Sequence, residues 1–473
     1  MSGDNGLIDR SACEVVGLLK SGDVTPDDLL DALETRIGQV DGAVNALPTL
    51  CFERARLAAK ELMRKPADAR GLLAGLPVAI KDLTEVAGVL TTFGSPIFKD
   101  NVPARSEIMV EMLERQGALV YAKSNTPEFG AGANTFNEVF GATRNPWNTA
   151  RSAAGSSGGA AVALATGMAW LAQGSDLGGS LRNPASFCGI VGMRPSPGRV
   201  ATNPGFKLEN QLSVEGPMAR TVEDVALMLD AMRGEHAGDP VSLPDDGRSF
   251  LTAAREGAKP KKVAFSRDLG ITPVDPEVAS ICEAAARRFE EAGVIVEEAA
   301  PDFSAAHDTF QVLRARNFAI SMAELLANHR DLLKPEVIWN IEKGLELTMD
   351  DLVRAEHQRA QMFQNALAFF EEYDLLLTPA TIVAPYPVEQ RYVEQCDGQT
   401  FDNYILWLAI AYAITLVAAP ALSLPCGFTA EKLPVGLQIA GPPRGEAQVL
   451  AGARVLEEIL DLGTVKPIDP VAG

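Results

Sequence analysis

Ser180 stands directly behind two glycines in the segment GSDLGGS, residues 174–180. A hydroxyl on a chain turn bare of side chains is a candidate nucleophile, and such a nucleophile needs a group to take its proton. The chain holds only His236, His307, His329 and His357, each in a polar or helical context, so imidazole is a poor candidate. A neutral lysine can do the same work. Its ordinary pKa is about 10.4, and burial lowers it by as much as about 3–5 units. Lys81 ends the apolar run GLPVAI and precedes Asp82-Leu83-Thr84, which predicts a lysine at the end of a buried strand. No Ser-x-x-Lys pair occurs, so Lys81 must come to a serine through the fold.

A second cluster, Gly155-Ser156-Ser157-Gly158-Gly159, offers other readings. Gly155, Ser157 and Gly159 satisfy the nucleophile-elbow pattern G-x-S-x-G, but that pattern needs a strand before it and a later histidine as base. The preceding RNPWNTARSAAG reads as loop, so the match is accidental. Neither G-x-x-x-x-G-K-[ST] nor G-x-G-x-x-G with a suitably placed acid is present, which argues against nucleotide binding. Cys188, in FCGIVG, reads as an inert buried thiol.

The elements that must position these residues follow from patterning. Helices are expected at Ser11–Lys20, from the Thr25 cap with Pro26 to about Val40, and at Leu50–Arg64. From Leu72 short apolar runs alternate with Gly-rich turns and helical periods, the texture of an α/β core with a mixed sheet. Residues 236–262 read as a surface connection. Strands follow in KVAFS, VIVEEA, DLLLTPA and ALSLPCGF, with a helix at Asp275–Ala292 and a long helical block at about Ala305–Tyr373. Tyr404–Ala430 carries no charge, yet Pro420, Pro425 and Gly427 divide it into a buried helix and a buried strand, too short to span a membrane.

Hydrophobic residues are 47% and charged residues 22% of the 473, ordinary globular usage that excludes disorder. The formal net charge of −20 argues against nucleic acid as a direct ligand. Six scattered cysteines with no C-x-x-C pair, and no signal segment at the start, suit a reducing cytoplasm. No Cys/His cluster has metal-ligand spacing, so no metal or organic cofactor is expected.

Taken together, GLPVAIKDL, KSNTPEFG, GATRNPWN, AAGSSGGAAVALATG, GSDLGGSLRNPASFCGIVGMRP, ALSLPCGF and LPVGLQIAGPP resemble the amidase signature family in order and spacing. The resemblance covers about residues 70–235 and 374–458. It implies an α/β amidase-signature fold with a central mixed sheet covered by helices on both faces. Residues 1–70 would be a helical segment packed on a domain of 71–473, with a variable helical insertion around 305–400. It further implies a Ser-cisSer-Lys triad of Ser180, Ser156 and Lys81, which chooses Ser156 over Ser157.

On the same ground the N–H groups of Leu177, Gly178, Gly179 and Ser180 would form an oxyanion hole. Asp176 and Arg182 would support the loop, and the Gly130 backbone would contact substrate. The implied activity is hydrolysis of a small carboxylic amide through an acyl-serine, in a chain that forms a homodimer. The glutamine-hydrolysing component of a tRNA-dependent amidotransferase is the alternative within the family, and a catalytically inactive binding protein the alternative outside it. Ala153, Ala154, Ser175 and Asn183 depart from the family pattern, Asn183 in a position to alter the pocket. Phe129, Phe136, Phe206, Trp407 and Tyr412 are candidate pocket aromatics, each also a plausible core residue.

Overall fold

Thr25 accepts a hydrogen bond from Asp28 N–H while the Asp28 carboxylate reaches back to the Thr25 N–H, and this capping box opens the helix Pro26–Val44. Ser11 and Glu14 open Ala12–Ser21 in the same way. The third N-terminal helix, Phe52–Met63, starts slightly later than its pattern suggests, because Thr49–Leu50 pair as a strand. The computed structural model describes residues 6–203, 205, 208, 211–462 and 466–473.

In chain order the strands are β1 Thr49–Leu50, β2 Pro77–Lys81, β3 Leu119–Ser124, β4 Phe136–Asn137, β5 Gly141–Ala142, β6 Leu171–Asp176, β7 Val191–Arg194 and β8 Val214–Ala219. They continue as β9 Lys262–Phe265, β10 Ile295–Glu298, β11 Leu375–Pro379, β12 Gln395–Cys396, β13 Gln399–Thr400, β14 Ala421–Phe428 and β15 Pro434–Ala440. Eleven of them form one sheet in the order β1-β3-β2-β6-β8-β7-β14-β15-β11-β9-β10, while β4-β5 and β12-β13 are separate pairs. The sheet is mixed, with parallel pairing of β2 to β3 and β6 and of β9 to β10 and β11, and antiparallel pairing elsewhere. Helices flank it, giving the expected α/β class. One apolar cluster runs from Leu7 and Leu29 of the N-terminal helices through Ile80 and Leu171 of the sheet to Leu456.

The helical block divides into Ala306–His329, Pro335–Leu345 and Met349–Glu372, with Pro335 and the Thr348 capping box starting the second and third. The 236–262 connection contains a helix, Phe250–Glu256, that its polar composition hides. Asp230, distant in sequence, accepts the Phe250 and Leu251 N–H groups at 2.8 and 3.0 Å and so holds its first turn. Ala409–Leu416 and β14 are the expected buried helix and strand. Among the described residues no helix is long and apolar enough to cross a membrane.

Candidate active site

All five residues of β2 and all six of β6 are buried, consistent with sheet strands covered on both faces. Because these neighbours are parallel, their C-terminal ends share one edge of the sheet, the usual location of chemistry in open α/β folds. Lys81 is the last residue of β2, and Ser175 and Asp176 are the last of β6. Ser156 and Ser157 precede the helix Gly158–Ala165 that packs on β6, and the Gly155–Ser156 peptide bond is cis.

These elements bring Lys81 Nζ to 2.7 Å from Ser156 Oγ, 2.9 Å from Ser157 Oγ and 3.0 Å from Ser175 Oγ. Lys81 is fully buried and, among the described residues, has no ion-pair partner. Burial pushes its pKa down to about 7, against the opposing pull of the Glu215 and Asp176 carboxylates. The Lys81 N–H donates to Gln173 Oε1 at 2.9 Å, and Gln173 Nε2 donates to Glu215. Burial also pushes the Glu215 carboxyl upward.

Ser180 lies half-buried just past β6, in a cavity of about 90 Å³ shared with Ser156, Ser175, Leu177, Gly178 and Gly130. Among the described residues no hydrogen bond joins Ser156 Oγ to Ser180 Oγ. Their shared feature is the cavity they both face. The Ser180 carbonyl accepts the Ser157 N–H at 3.3 Å, tying the two glycine-rich segments together.

Asp176 shapes the loop between β6 and the helix Arg182–Cys188. Its carboxylate accepts Gly179 N–H at 3.0 Å and Leu181 N–H at 3.1 Å, and meets Arg182 at 2.8 and 3.0 Å and Arg194 at 3.3 Å. Burial alone would raise this carboxyl; the two guanidiniums overcome it and hold the group well below the usual carboxylate range. Among the described residues the N–H groups of Leu177, Gly178 and Ser180 have no hydrogen-bond partner. The Gly179 N–H is the exception, being held by Asp176. Glycine is required at position 179, and a side chain at 178 would be crowded. A Cβ at Gly178 would meet Phe310 Cζ at 3.0 Å; Gly179 has φ +108° and its Cβ would lie 2.5 Å from Asn183 Oδ1.

The remaining expectations separate. Gly130, with φ +68°, lines the cavity, and its N–H is used by the Pro127 carbonyl at 2.8 Å. Phe129 lines it too. Tyr412 lies behind it, stacked on the lining residue Phe310 with ring centroids 4.1 Å apart. Trp407 packs against Tyr386, and Phe136 lies beneath Lys334 and Arg391, so neither is a lining residue. Phe206 lies outside the described residues. Asn183 does not face the cavity; its buried amide sits behind Gly179. Ser157 is fully buried against Lys81, unlike the exposed serine of a nucleophile elbow.

Cys188 is fully buried, with its thiol pKa pushed up by burial. None of the four histidines lines the cavity; His307 is taken by Tyr412 Oη at 2.6 Å and the Ile271 carbonyl at 2.8 Å. Among the described residues no group of three or more His, Cys, Asp or Glu is placed to hold a metal ion. Sequence reasoning missed Gln173, Glu215 and Arg314, the last of which lines the cavity, and gave Ser175 no part in the site. The period-two alternation of β6 was the available signal for Gln173 and Ser175, which share a strand face.

Residues 28–450 match the Amidase family model. The chain is 35% identical over 464 residues to an acylamidase of Rhodococcus erythropolis, covering 97% of each. It is 31% identical over 468 residues to the A component of the glutamyl-tRNA(Gln) amidotransferase of Alkaliphilus metalliredigens, covering 93% of this chain and 94% of that one. The fold matches the crystal structure of a bacterial aryl acylamidase of the amidase signature enzymes with a TM-score of 0.90 at 28% identity, covering 96% of this chain and 97% of that one. With a family match across most of its length, the chain belongs to the amidase family and is a hydrolase of carboxylic amides.

Proposed function

We propose that this chain hydrolyses a small carboxylic amide, of the acyl or aryl-acyl kind, through an ester to Ser180. The observation that carries the reading is Lys81 Nζ, buried without a counterion among three hydroxyls. An ammonium is disfavoured there, and hydroxyls donate as readily as they accept, so the amine can hold its neutral form with one Ser O–H donating to it.

Ser180 Oγ attacks the amide carbon. Its proton passes to Ser156 Oγ as the Ser156 proton moves to Lys81 Nζ. The N–H groups of Leu177, Gly178 and Ser180 receive the carbonyl oxygen as it becomes negative, where one such donor is worth about 10²- to 10³-fold in rate. Gly179 belongs to this loop by conformation, its own N–H being held by Asp176; Asp176 and Arg182 support the curve. The Gly130 backbone, at the cavity wall, contacts the substrate. When the C–N bond breaks, Lys81 returns the proton through Ser156 to the departing nitrogen. Water then attacks the acyl ester by the same relay and frees the carboxylate and Ser180.

The six free cysteines suit a cytoplasmic location, and the described residues before 71 form a helical layer on the amidase domain of 71–473. Similarity to the A components of tRNA-dependent amidotransferases favours one second reading, glutamine hydrolysis within a complex. Mass spectrometry after treatment with a serine-directed phosphonate tests the first: an adduct on Ser180 and turnover by the lone chain are expected. An unlabelled Ser180 in an active enzyme refutes it, and activity appearing only with co-purifying partner proteins selects the second.

A further inference from the structure

The helix Ala306–His329 presents Phe310, Arg314 and Phe318 to the cavity that holds Ser180; at spacings of four residues they lie on one helix face. Arg314 is only 7% exposed. Its Nε donates to Asn340 Oδ1 at 3.2 Å and its Nη2 to Tyr404 Oη at 2.9 Å, while its guanidinium lies 4.7 Å from the centre of the Phe318 ring. These contacts orient the group, but none of them is an anion. Among the described residues Arg314 forms no ion pair, and its Nη1 has no hydrogen-bond partner.

Neighbouring carboxylates are already engaged. Glu336 holds Arg391 at 2.6 and 2.8 Å. Glu128 accepts Ser95 Oγ–H at 2.6 Å and the Lys334 N–H at 2.8 Å. Lys334 adds a second cation close by: its Nζ lies 3.8 Å from where a Cβ on the lining residue Gly132 would stand. A buried cation without a counterion is costly, and the planar fork of arginine matches a carboxylate.

We propose that the amide hydrolysed here carries a carboxylate, and that Arg314 binds it. The inference rests on the acyl-Ser180 reading and adds the substrate class. The simplest member of that class is the monoamide of a short dicarboxylic acid, its hydrocarbon spacer lying between Phe310 and Phe318.

The test compares glutaramic acid with uncharged pentanamide, which differ chiefly in the terminal carboxylate. With the wild-type chain, kcat/KM is expected to favour the acid by at least about 30-fold, mostly through KM, as charge-assisted pairing to a buried group implies. Arg314→Met is expected to bring the ratio near one, and Arg314→Lys, a point charge without the fork, to leave an intermediate ratio. The same two compounds are compared as protectants of Ser180 against phosphonate labelling, which needs no turnover. A wild-type ratio of one or less in both measurements overturns the inference without needing any folded variant. So does a preference that survives Arg314→Met. Failure of Ser180 to label at all, with neither amide hydrolysed, counts instead against the acyl-Ser180 reading.

Discussion

Lys81 and Lys123 are both fully buried in neighbouring strands, and what surrounds their amines decides what each can do. Lys123 Nζ faces the Asp82 carboxylate at 3.2 Å, with the Thr84 carbonyl and Thr91 hydroxyl at 2.8 Å, and is a structural cation. Lys81 faces hydroxyls, so its proton is the easier to lose. With a pKa lowered to about 7, kcat/KM is expected to rise with pH through neutrality as the amine loses its proton, and to be lost as pH falls below it. Lys81→Met is expected to abolish this limb and lower kcat/KM by about 10²- to 10⁴-fold, measured alongside thermal unfolding to separate folding from chemistry. Ser180→Ala is expected to remove turnover with little change in melting temperature, since the Ser180 hydroxyl makes no hydrogen bond among the described residues.

At the scale of elements, the end of β6 and the turn after it set the geometry. Asp176 holds two loop N–H groups and two guanidiniums with no exposure of its own, so Asp176→Asn is expected to cost about 3–5 kcal/mol in denaturant unfolding, as breaking a buried ion pair does. Gly179→Ala is expected to be destabilising by about 1–3 kcal/mol and to lower kcat more than KM, because φ +108° and the Asn183 amide both oppose a Cβ.

Strand β8 runs antiparallel to β6 and sets Glu215 opposite Ser175, where its charge raises the Lys81 pKa. Removing that charge in Glu215→Gln is expected to move the acid limb of kcat/KM to lower pH. An unmoved limb would detach Glu215 from Lys81. The ends of β2 and β6 were legible in the sequence because apolar runs stopped at a lysine and at a glycine-rich turn. Glu215 was not, since only the pairing of β8 with β6 brings it near.

Across the whole molecule, the sheet order and the helix Ala306–His329 bring distant parts of the chain to one cavity. The mixed α/β class could be read from alternating apolar runs and turns, whereas the proposed triad rests on the resemblance of the glycine-flanked serines to the amidase signature family. The cavity wall could not: Phe310, Arg314 and Phe318 form a stripe whose meaning depends on which face of the helix meets the cavity. The division of the helical block at Pro335 and Thr348 was likewise hidden by its continuous helical period. At this scale the chain, purified alone, is expected to turn over simple amides, whereas an amidotransferase component would require its partners.

In the proposed relay an uncharged Lys81 draws the proton from Ser180 through Ser156. The most direct measurement of that step is the rate of phosphonate addition to Ser180, followed by mass spectrometry across pH in the wild type and in Lys81→Met. The rate is expected to rise with loss of one proton near pH 7 and to collapse in the variant; a pH-independent rate, or one that Lys81→Met leaves intact, would rule out Lys81 as the base.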